Sequence, residues 1–148
     1  MPKYLETTVD KFTFKVATDR LYSAEGVWAH ELDGRVRIGL TDYVQQRSGD
    51  VAFAEAKPLG TAVAVDEEVG SIETVKANIS VGAPLAGMVA EVNPLLETAP
   101  ETINADPYGA GWLAVIAPED WATDRTRLLD PAAYFAIMQQ QAEKEAQG

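Results

Sequence analysis

Apolar and polar residues alternate with a period of two in four short stretches of the chain. The stretches are residues 34–40 ("GRVRIGL"), 50–56 ("DVAFAEA"), 69–75 ("VGSIETV") and 87–92 ("GMVAEV"). Such alternation is typical of half-buried β-strands, because successive side chains of a strand point to opposite faces. Turn residues such as Asp33-Gly34 lie between the stretches. The pattern therefore predicts an antiparallel, mainly β fold of the sandwich or small-barrel kind, rather than βαβ units.

Two further segments have the signals of helices. In "LTDYVQQRSG", Thr41 or Asp42 can cap a short helix that Gly49 ends. Near the end of the chain, Asp130 and Pro131 suit the N-cap and first position of a longer helix. The apolar side chains expected to dock this second helix on the core are Tyr134, Phe135, Ile137 and Met138.

Length and composition limit the fold to one domain of ordinary size. The chain has 148 residues, of which 47% are hydrophobic and 24% charged. It contains no apolar run near the roughly 20 residues that a membrane-spanning helix needs, and its N-terminus lacks the apolar core of a signal peptide. It also has no cysteine, so no disulfide stabilises it. We expect a cytoplasmic protein without a membrane partner.

Charge and the scarcity of reactive side chains exclude several functions. The net charge is −11 and no basic stripe follows the chain, which argues against nucleic acid as a partner. Such acidity serves either solubility or docking on basic protein surfaces. Without cysteine and with His30 as the single histidine, thiol catalysis and multi-histidine metal sites are excluded. Since no glycine-rich phosphate loop is present either, we predict no catalytic residue, no metal, and a protein that is not an enzyme.

Lys76 stands between two of the predicted strands, in "SIETVKANISVGAPLAG" (residues 71–87). A lysine at the tip of a hairpin carries a hydrated, charged amine that has no activated character of its own. Taken alone, it is most simply a surface lysine.

The residues around Lys76 change that interpretation. Glu73, Thr74, Lys76 and Ala77, followed by Pro84 and Gly87, resemble the lipoyl-attachment hairpin of the lipoyl-domain superfamily. The similarity continues in order along residues 22–28, 36–55, 65–77, 91–113 and 128–138, and these blocks resemble the glycine cleavage system H proteins. It covers residues 22–138, so we interpret 1–21 as an N-terminal extension, 22–138 as a lipoyl domain with its C-terminal helix, and 139–148 as a frayed tail.

The resemblance implies a barrel-sandwich hybrid of two small antiparallel sheets, with a short internal helix and a C-terminal helix. It also implies that Lys76 carries lipoic acid as N6-lipoyllysine, which removes the charge of the amine. A lipoate ligase or lipoyl transferase would attach it, with Glu73, Thr74, Val75 and Ala77 as the surroundings that the ligase recognises. Dihydrolipoamide dehydrogenase and the enzymes of one pathway would be the other partners.

A second block, "NADPYGAGW" (residues 104–112), resembles the family segment beside the lipoyl arm. On this basis Asn104, Tyr108 and Trp112 frame the arm's resting groove. A turn followed by a core tryptophan gives the same letters, and this alternative stays open.

The chain departs from the family pattern at positions that bear on which pathway it serves. The usual His-Glu-Trp is Gly26-Val27-Trp28 here, and the residues after Ala77 run Asn78-Ile79-Ser80-Val81-Gly82. These changes favour a divergent H-like carrier that shuttles a sulfur intermediate in heterodisulfide-reductase-like sulfur oxidation. One alternative is an H protein that carries the aminomethyl group in glycine decarboxylation. Another is an unmodified interaction module that has kept the fold.

Overall fold

The computed structural model describes residues 3–147 and contains, within them, eleven strands and five α-helices. The strands are β1 (Tyr4–Val9), β2 (Phe12–Ala17), β3 (Leu21–Tyr22), β4 (Val27–Leu32), β5 (Arg35–Leu40), β6 (Val51–Ala56), β7 (Ala62–Val63), β8 (Glu68–Thr74), β9 (Asn78–Gly82), β10 (Gly87–Val92) and β11 (Ala114–Pro118). The helices are α1 (Asp42–Ser48), α2 (Leu95–Thr98), α3 (Thr102–Ala105), α4 (Trp121–Asp124) and α5 (Pro131–Gln147), with a 3₁₀ turn over Arg125–Arg127. Each of the four alternating stretches is a strand, as predicted.

Most strands belong to two antiparallel sheets that share one core. The larger sheet has the order β3-β4-β5-β11-β10-β7, and the smaller has the order β6-β8-β9. Trp28, Ile38 and Ile116 of the larger sheet and Ile72 and Val81 of the smaller are buried in a single hydrophobic cluster. The prediction of a mainly β fold is confirmed, and its arrangement is that of a barrel-sandwich hybrid.

The N-terminal extension folds as a third, two-stranded sheet, which the sequence analysis did not predict. Strands β1 and β2 pair from Tyr4 opposite Ala17 to Val9 opposite Phe12, and Asp10 makes the turn with φ +58°. The backbone N–H of Lys15 donates to Oδ2 of Asp42 at 3.0 Å, which ties the hairpin to α1. Residues 4–17 therefore add a wall beside α1.

Helix α1 begins and ends where the sequence predicts. Thr41 is its N-cap, with Oγ1 accepting the backbone N–H of Val44 at 3.3 Å. Gly49 ends the helix with φ +88°, in a region that residues with a side chain avoid.

Helix α5 docks on the core by residues spaced four apart. Asp130 caps it through the N–H of Ala133, at 2.8 Å, and Pro131 opens it, as predicted. Its buried side chains are Tyr134, Met138 and Ala142. Phe135 and Ile137, which were expected on the same face, are only half-buried, because they lie to either side of this stripe. The helix continues to Gln147, across most of the segment that we expected to be a frayed tail.

None of the helices between residues 3 and 147 has the length and apolarity that crossing a bilayer requires.

Candidate functional site

Lys76 lies at the tip of the β8–β9 hairpin, in the smaller sheet. The two strands pair from Glu68 opposite Gly82 to Glu73 opposite Asn78, with one register shift near the base. Ile72 faces the core and is 1% exposed, which anchors the hairpin below its tip. The residues from Val75 to Asn78 are exposed, and Val75 has 77% of its surface in solvent. The fold thus presents the lysine on a well-anchored projection.

Thr74 fixes the backbone on both sides of the lysine. Its Oγ1 accepts the N–H groups of Lys76, at 3.2 Å, and of Ala77, at 3.0 Å. It donates to the carbonyl oxygen of Ala77 at 3.2 Å, and the N–H of Thr74 donates to the same oxygen at 2.8 Å. A hydroxyl that bonds the backbone two and three residues ahead is a common way to close a tight turn. The lysine's main chain is therefore held in one conformation while its side chain is exposed.

The stem of Lys76 lies over the end of α1. Its Cδ and Cε come within 3.5 and 3.6 Å of the position that a Cβ on Gly49 would occupy. Lys57, at the hairpin base, pairs with Glu68 at 3.5 Å, whereas Lys76 has no acidic partner among residues 3–147. An exposed amine without a salt bridge is available to a modifying enzyme.

Asn104 holds in place the backbone on which the Lys76 stem lies. Its Nδ2 donates to the carbonyl oxygen of Gly49 at 3.0 Å and to Oε1 of Gln45 at 3.1 Å. Its Oδ1 accepts the N–H of Val51 at 2.9 Å. Asn104 thus joins the end of α1 to the start of β6. Gly49, whose carbonyl oxygen it bonds, is the residue beside the Lys76 stem.

Of the other predicted site residues, Glu73 lies just below the tip, whereas Tyr108 and Trp112 lie elsewhere. Glu73 is exposed on β8, opposite Phe53. Tyr108 donates from its hydroxyl to the carbonyl oxygen of Lys15 at 2.7 Å, so it faces the N-terminal hairpin. The ring of Trp112 lies 4.7 Å from the guanidinium of Arg37, in the larger sheet. The structure therefore brings Thr74, Val75, Ala77 and Asn104 close to the lysine, but places Tyr108 and Trp112 in other surroundings.

A groove of about 370 Å³ opens beside Lys76. Besides Lys76, it is lined by the hairpin residues Val9, Asp10, Phe12 and Phe14, by Tyr43, Gln46 and Arg47 of α1, and by Ala142, Glu145 and Ala146 of α5. We call it the Lys76 groove. The sequence analysis missed it because its walls come from segments that are far apart in the chain. The alternation in "FTFKVA" (residues 12–17) was the one available sign of the strand that carries two of its aromatic side chains.

A hydrogen bond and an ion pair connect α1 to α5 at one side of the groove. The hydroxyl of Tyr43 bonds Oε1 of Glu145, and Arg47 lies 3.5 Å from the same carboxylate. Burial, with the hydrogen bond and charge of Glu145, raises the pKa of Tyr43 to about 12. Tyr43 therefore stays a neutral hydrogen-bond donor well above the pH at which a free phenol ionises.

Gly26 departs from the family pattern for a reason that the packing explains. Its φ is +92°, and a Cβ there would lie 2.4 Å from Cγ2 of Val44 and 3.1 Å from the hydroxyl of Tyr134. The space that a side chain would fill is thus occupied by α1 and α5. The absence of a side chain at Gly26 therefore lets α1 and α5 pack closely against the backbone there.

The departures after Ala77 begin at Asn78, in the tip, and run down β9 to Gly82 at the base of the hairpin. Val81 is buried in the core, and Gly82 pairs with Glu68 at the base of the hairpin. A Cβ on Gly82 would come within 3.3 Å of the carbonyl oxygen of Asp66. Residues 81 and 82 therefore lie in the packed lower part of the hairpin, away from the tip.

Comparison with known proteins gives one consistent result. The profile of the Glycine cleavage H-protein family matches residues 20–141. A protein of Anaeromyxobacter sp. (strain K) named "Glycine cleavage system H protein" is 40% identical over 127 residues, which are 86% of this chain and 98% of that protein. One of the same name from Laribacter hongkongensis is 45% identical, over 80% of this chain and 94% of its own length. The crystal structure of a glycine cleavage system H protein from Mycobacterium marinum superposes with a TM-score of 0.73 at 34% identity, covering 80% of this chain and 95% of that one.

Proposed function

Because this chain belongs to the glycine cleavage H-protein family, we propose that it carries the aminomethyl unit of glycine cleavage on a lipoyl group attached to Lys76. Proteins of this family are lipoyl carriers rather than enzymes, and their lipoate is bound covalently to a lysine. The observation that carries the proposal is the position of Lys76, exposed and without an acidic partner among residues 3–147, on a turn that Thr74 holds closed.

The surroundings of Lys76 fit an amide-linked lipoyl group. The stem lies against Gly49, which has no side chain to obstruct it, and the amine projects from an exposed tip. When bound, lipoate supplies the redox and group-carrier chemistry through its two sulfur atoms. The chain itself holds the turn in place, leaves the arm free of ion pairs at its root and offers Glu73, Thr74, Val75 and Ala77 to the attaching ligase or transferase.

The comparisons favour glycine cleavage over the sulfur-oxidation pathway that the sequence departures suggested. The relatives are named for glycine cleavage, and they align with 80–86% of this chain. No finding supports a role in sulfur oxidation. The structure also weakens the argument for it, since the packing beside Val44 leaves no room for a side chain at Gly26. We accordingly propose the glycine cleavage enzymes and dihydrolipoamide dehydrogenase as partners, and a cytoplasmic location stays a prediction.

Intact mass spectrometry and reconstitution test this function. Lys76→Arg should fold normally, gain no lipoyl mass when incubated with lipoate and a lipoate ligase, and support no glycine cleavage. The reason is that a guanidinium keeps the charge but cannot be acylated in this way. Lys57→Arg is the matched control, because Lys57 is a partly exposed lysine near the base of the same hairpin.

The outcomes separate the alternatives. A lipoyl adduct on Lys76 with turnover by glycine decarboxylase is the expected result. An unmodified wild-type protein would favour an interaction module that has kept the fold without the cofactor. A lipoylated protein that glycine decarboxylase does not accept would refute the assigned pathway and leave the carrier role intact.

A further inference from the structure

Most residues that line the Lys76 groove lie outside the part of the chain that the family profile matches. The match spans residues 20–141. The hairpin of β1 and β2, which forms one wall, precedes the match, and the end of α5 from Ala142 onward, which forms the other wall, follows it. Only the floor, made by α1 and by Lys76 itself, belongs to the matched region. The lysine therefore stands between two walls that lie outside the matched region.

The enzyme that attaches lipoate must bring its reacting atoms to Nζ of Lys76. In the attachment, Nζ bonds to the carbonyl carbon of an activated lipoyl group, such as a mixed anhydride with a nucleotide phosphate. The bond between that carbon and the phosphate oxygen breaks, and the nucleotide leaves with the bonding electrons. The two protons that the ammonium loses pass to a base of the enzyme and then to solvent. Because Lys76 itself lines the groove, the enzyme surface around its active site covers the groove as well.

The enzymes that use the finished arm have no such constraint. Their chemistry takes place at the two sulfur atoms, which a chain of methylenes separates from Nζ. They can reach the sulfur atoms while they contact the carrier elsewhere on its surface. Close contact with the walls of the groove is thus demanded only by the attachment step.

Phe12 gives one wall of the groove an exposed aromatic surface. It leaves 55% of its surface in solvent, whereas Phe14 and Tyr43, which also line the groove, are buried. The rings of Phe12 and Phe14 are stacked with centroids 6.3 Å apart, so the exposed ring rests on the buried layer. The other wall presents the small side chains of Ala142 and Ala146. An exposed aromatic ring beside a groove of about 370 Å³ suits an apolar anchor residue of a protein partner.

Carboxylates without an ion pair surround this apolar surface. Asp10 lines the groove, and Glu73 is exposed just below the hairpin tip. Neither belongs to a salt bridge among residues 3–147, whereas Glu145 is neutralised by Arg47 at 3.5 Å. A partner surface that has basic side chains around an apolar anchor complements this arrangement.

We infer that the lipoate-attaching enzyme docks in the Lys76 groove, with an apolar side chain of the enzyme against Phe12 and basic side chains facing Asp10 and Glu73. This inference rests on the proposed function, since it concerns the attachment of lipoate to Lys76. Phe12 is a positioning residue in this role, because it holds the enzyme over the lysine without touching the reacting atoms. The N-terminal hairpin thus lowers the KM of the attachment reaction and is not used by the enzymes that act on the arm.

The kinetics of lipoylation test this docking. A lipoate ligase that modifies the wild-type protein is supplied with lipoate and ATP, and intact mass gives the lipoylated fraction over time at several carrier concentrations. In Phe12→Ser the KM for the carrier should rise about fivefold while kcat stays within about twofold of the wild type, because an interface aromatic is lost and the acylated tip is unchanged. Ala146→Trp, which fills the groove from the exposed end of α5, should raise KM in the same way.

Two further variants complete the kinetic test. Met88→Ser is the matched control, since Met88 on β10 is 51% exposed, close to the 55% of Phe12, and does not line the groove. It should leave KM as in the wild type. Asp10→Asn tests the charges, because asparagine tolerates the φ of +58° at this turn. Its KM should be about twofold higher at low ionic strength and should depend less on salt than that of the wild type.

Nuclear magnetic resonance of the ¹⁵N-labelled, unmodified protein gives a readout without catalysis. Addition of the ligase in the absence of ATP should shift or broaden the amide resonances of Val9, Phe12 and Ala146 together with those of residues 73–78. In Phe12→Ser the same changes should require about fivefold more ligase.

The possible failures are distinct. Wild-type KM values in both Phe12→Ser and Ala146→Trp, or spectral changes confined to residues 73–78, would overturn the docking and leave the proposed function standing. Fully lipoylated Phe12→Ser should have the wild-type KM with glycine decarboxylase, and a rise equal to that seen with the ligase would also refute the assignment of the groove to the attaching enzyme. Absence of lipoyl mass on Lys76 of the wild-type protein would overturn the proposed function, and the docking would fall with it.

Discussion

At the scale of single residues, Thr74 holds the backbone around Lys76, while the lysine side chain is exposed. One hydroxyl accepts two backbone N–H groups and donates to one carbonyl, all within the turn that contains Lys76. The sequence placed Thr74 beside the lysine through its resemblance to the lipoyl hairpin, but assigned it to ligase recognition. The hydrogen bonds by which Thr74 closes the turn depend on distances between atoms. The spacing of residues in the sequence does not give those distances.

Replacing Thr74 by Val should loosen the turn without changing its size. Loss of the hydroxyl leaves the N–H groups of Lys76 and Ala77 to solvent, and we expect unfolding free energy to fall by about 0.5–1.5 kcal/mol. Amide hydrogen exchange at Lys76 and Ala77 should accelerate, while Thr74→Ser, which keeps the oxygen, should behave as the wild type. Urea denaturation and exchange measured by NMR check this. Unchanged exchange in Thr74→Val would contradict this role of Thr74.

At the scale of elements, α1 connects the lysine to α5. Thr41 both caps α1 and shares a buried hydrogen bond of 2.9 Å with the hydroxyl of Tyr134 on α5. Both helices were predicted from their capping residues, because caps are local signals in the sequence. The contact between them was not predicted, since Thr41 and Tyr134 are far apart in the chain and only the fold brings them together.

Thr41→Val should destabilise this junction. The substitution removes the N-cap of α1 and leaves the buried hydroxyl of Tyr134 without its partner, at a combined cost of about 1–3 kcal/mol in unfolding free energy. Thr41→Ser should cost much less because it preserves the oxygen. Chemical denaturation of both variants, with Tyr134→Phe completing a double-mutant cycle, gives the coupling. Equal stability of the Ser and Val variants would show that the junction contributes nothing.

At the scale of the whole molecule, four of the five tyrosines are held neutral by the fold. Burial raises the pKa of Tyr134 to about 12, and Tyr43 reaches about 12 through burial and Glu145. Burial raises the pKa of Tyr22 and of Tyr108 as well. Tyr22 stacks on Tyr134 with centroids 4.7 Å apart, so these groups tie the first strand of the larger sheet to α5.

The raised values set the sign of the alkaline pH dependence. A phenol whose folded pKa exceeds the unfolded value of 10.0 contributes stability that is fully present below pH 10 and is lost as pH rises through the folded pKa, near 12. We therefore expect tyrosinate absorbance and loss of near-ultraviolet circular dichroism to rise together between these values. Tyr134→Phe, which removes one such group, should weaken the dependence. Ionisation of all tyrosines with the native spectrum intact would refute this prediction.

The fold as a whole was more predictable than the groove beside its site. Period-two alternation located β5, β6, β8 and β10, and the residues around Lys76 identified the hairpin that presents it. The N-terminal hairpin was not predicted, because its turn, Asp10-Lys11, lacks the glycine that marks most such turns. The Lys76 groove was not predicted for a different reason. Its residues Phe12, Tyr43 and Ala142 become neighbours only when three distant segments of the chain pack together.

The packing of Gly26 also constrains how this sequence can change over evolutionary time. A histidine, or any residue with a side chain, at position 26 would place its Cβ 2.4 Å from a methyl of Val44, a β-branched residue with little rotamer freedom. It would also have to adopt a backbone conformation with φ +92°. A side chain at this position therefore requires that Val44 becomes smaller and that the local backbone relaxes. Gly26 and Val44 thus form an epistatic pair, in which a substitution at position 26 is tolerated only after position 44 has changed.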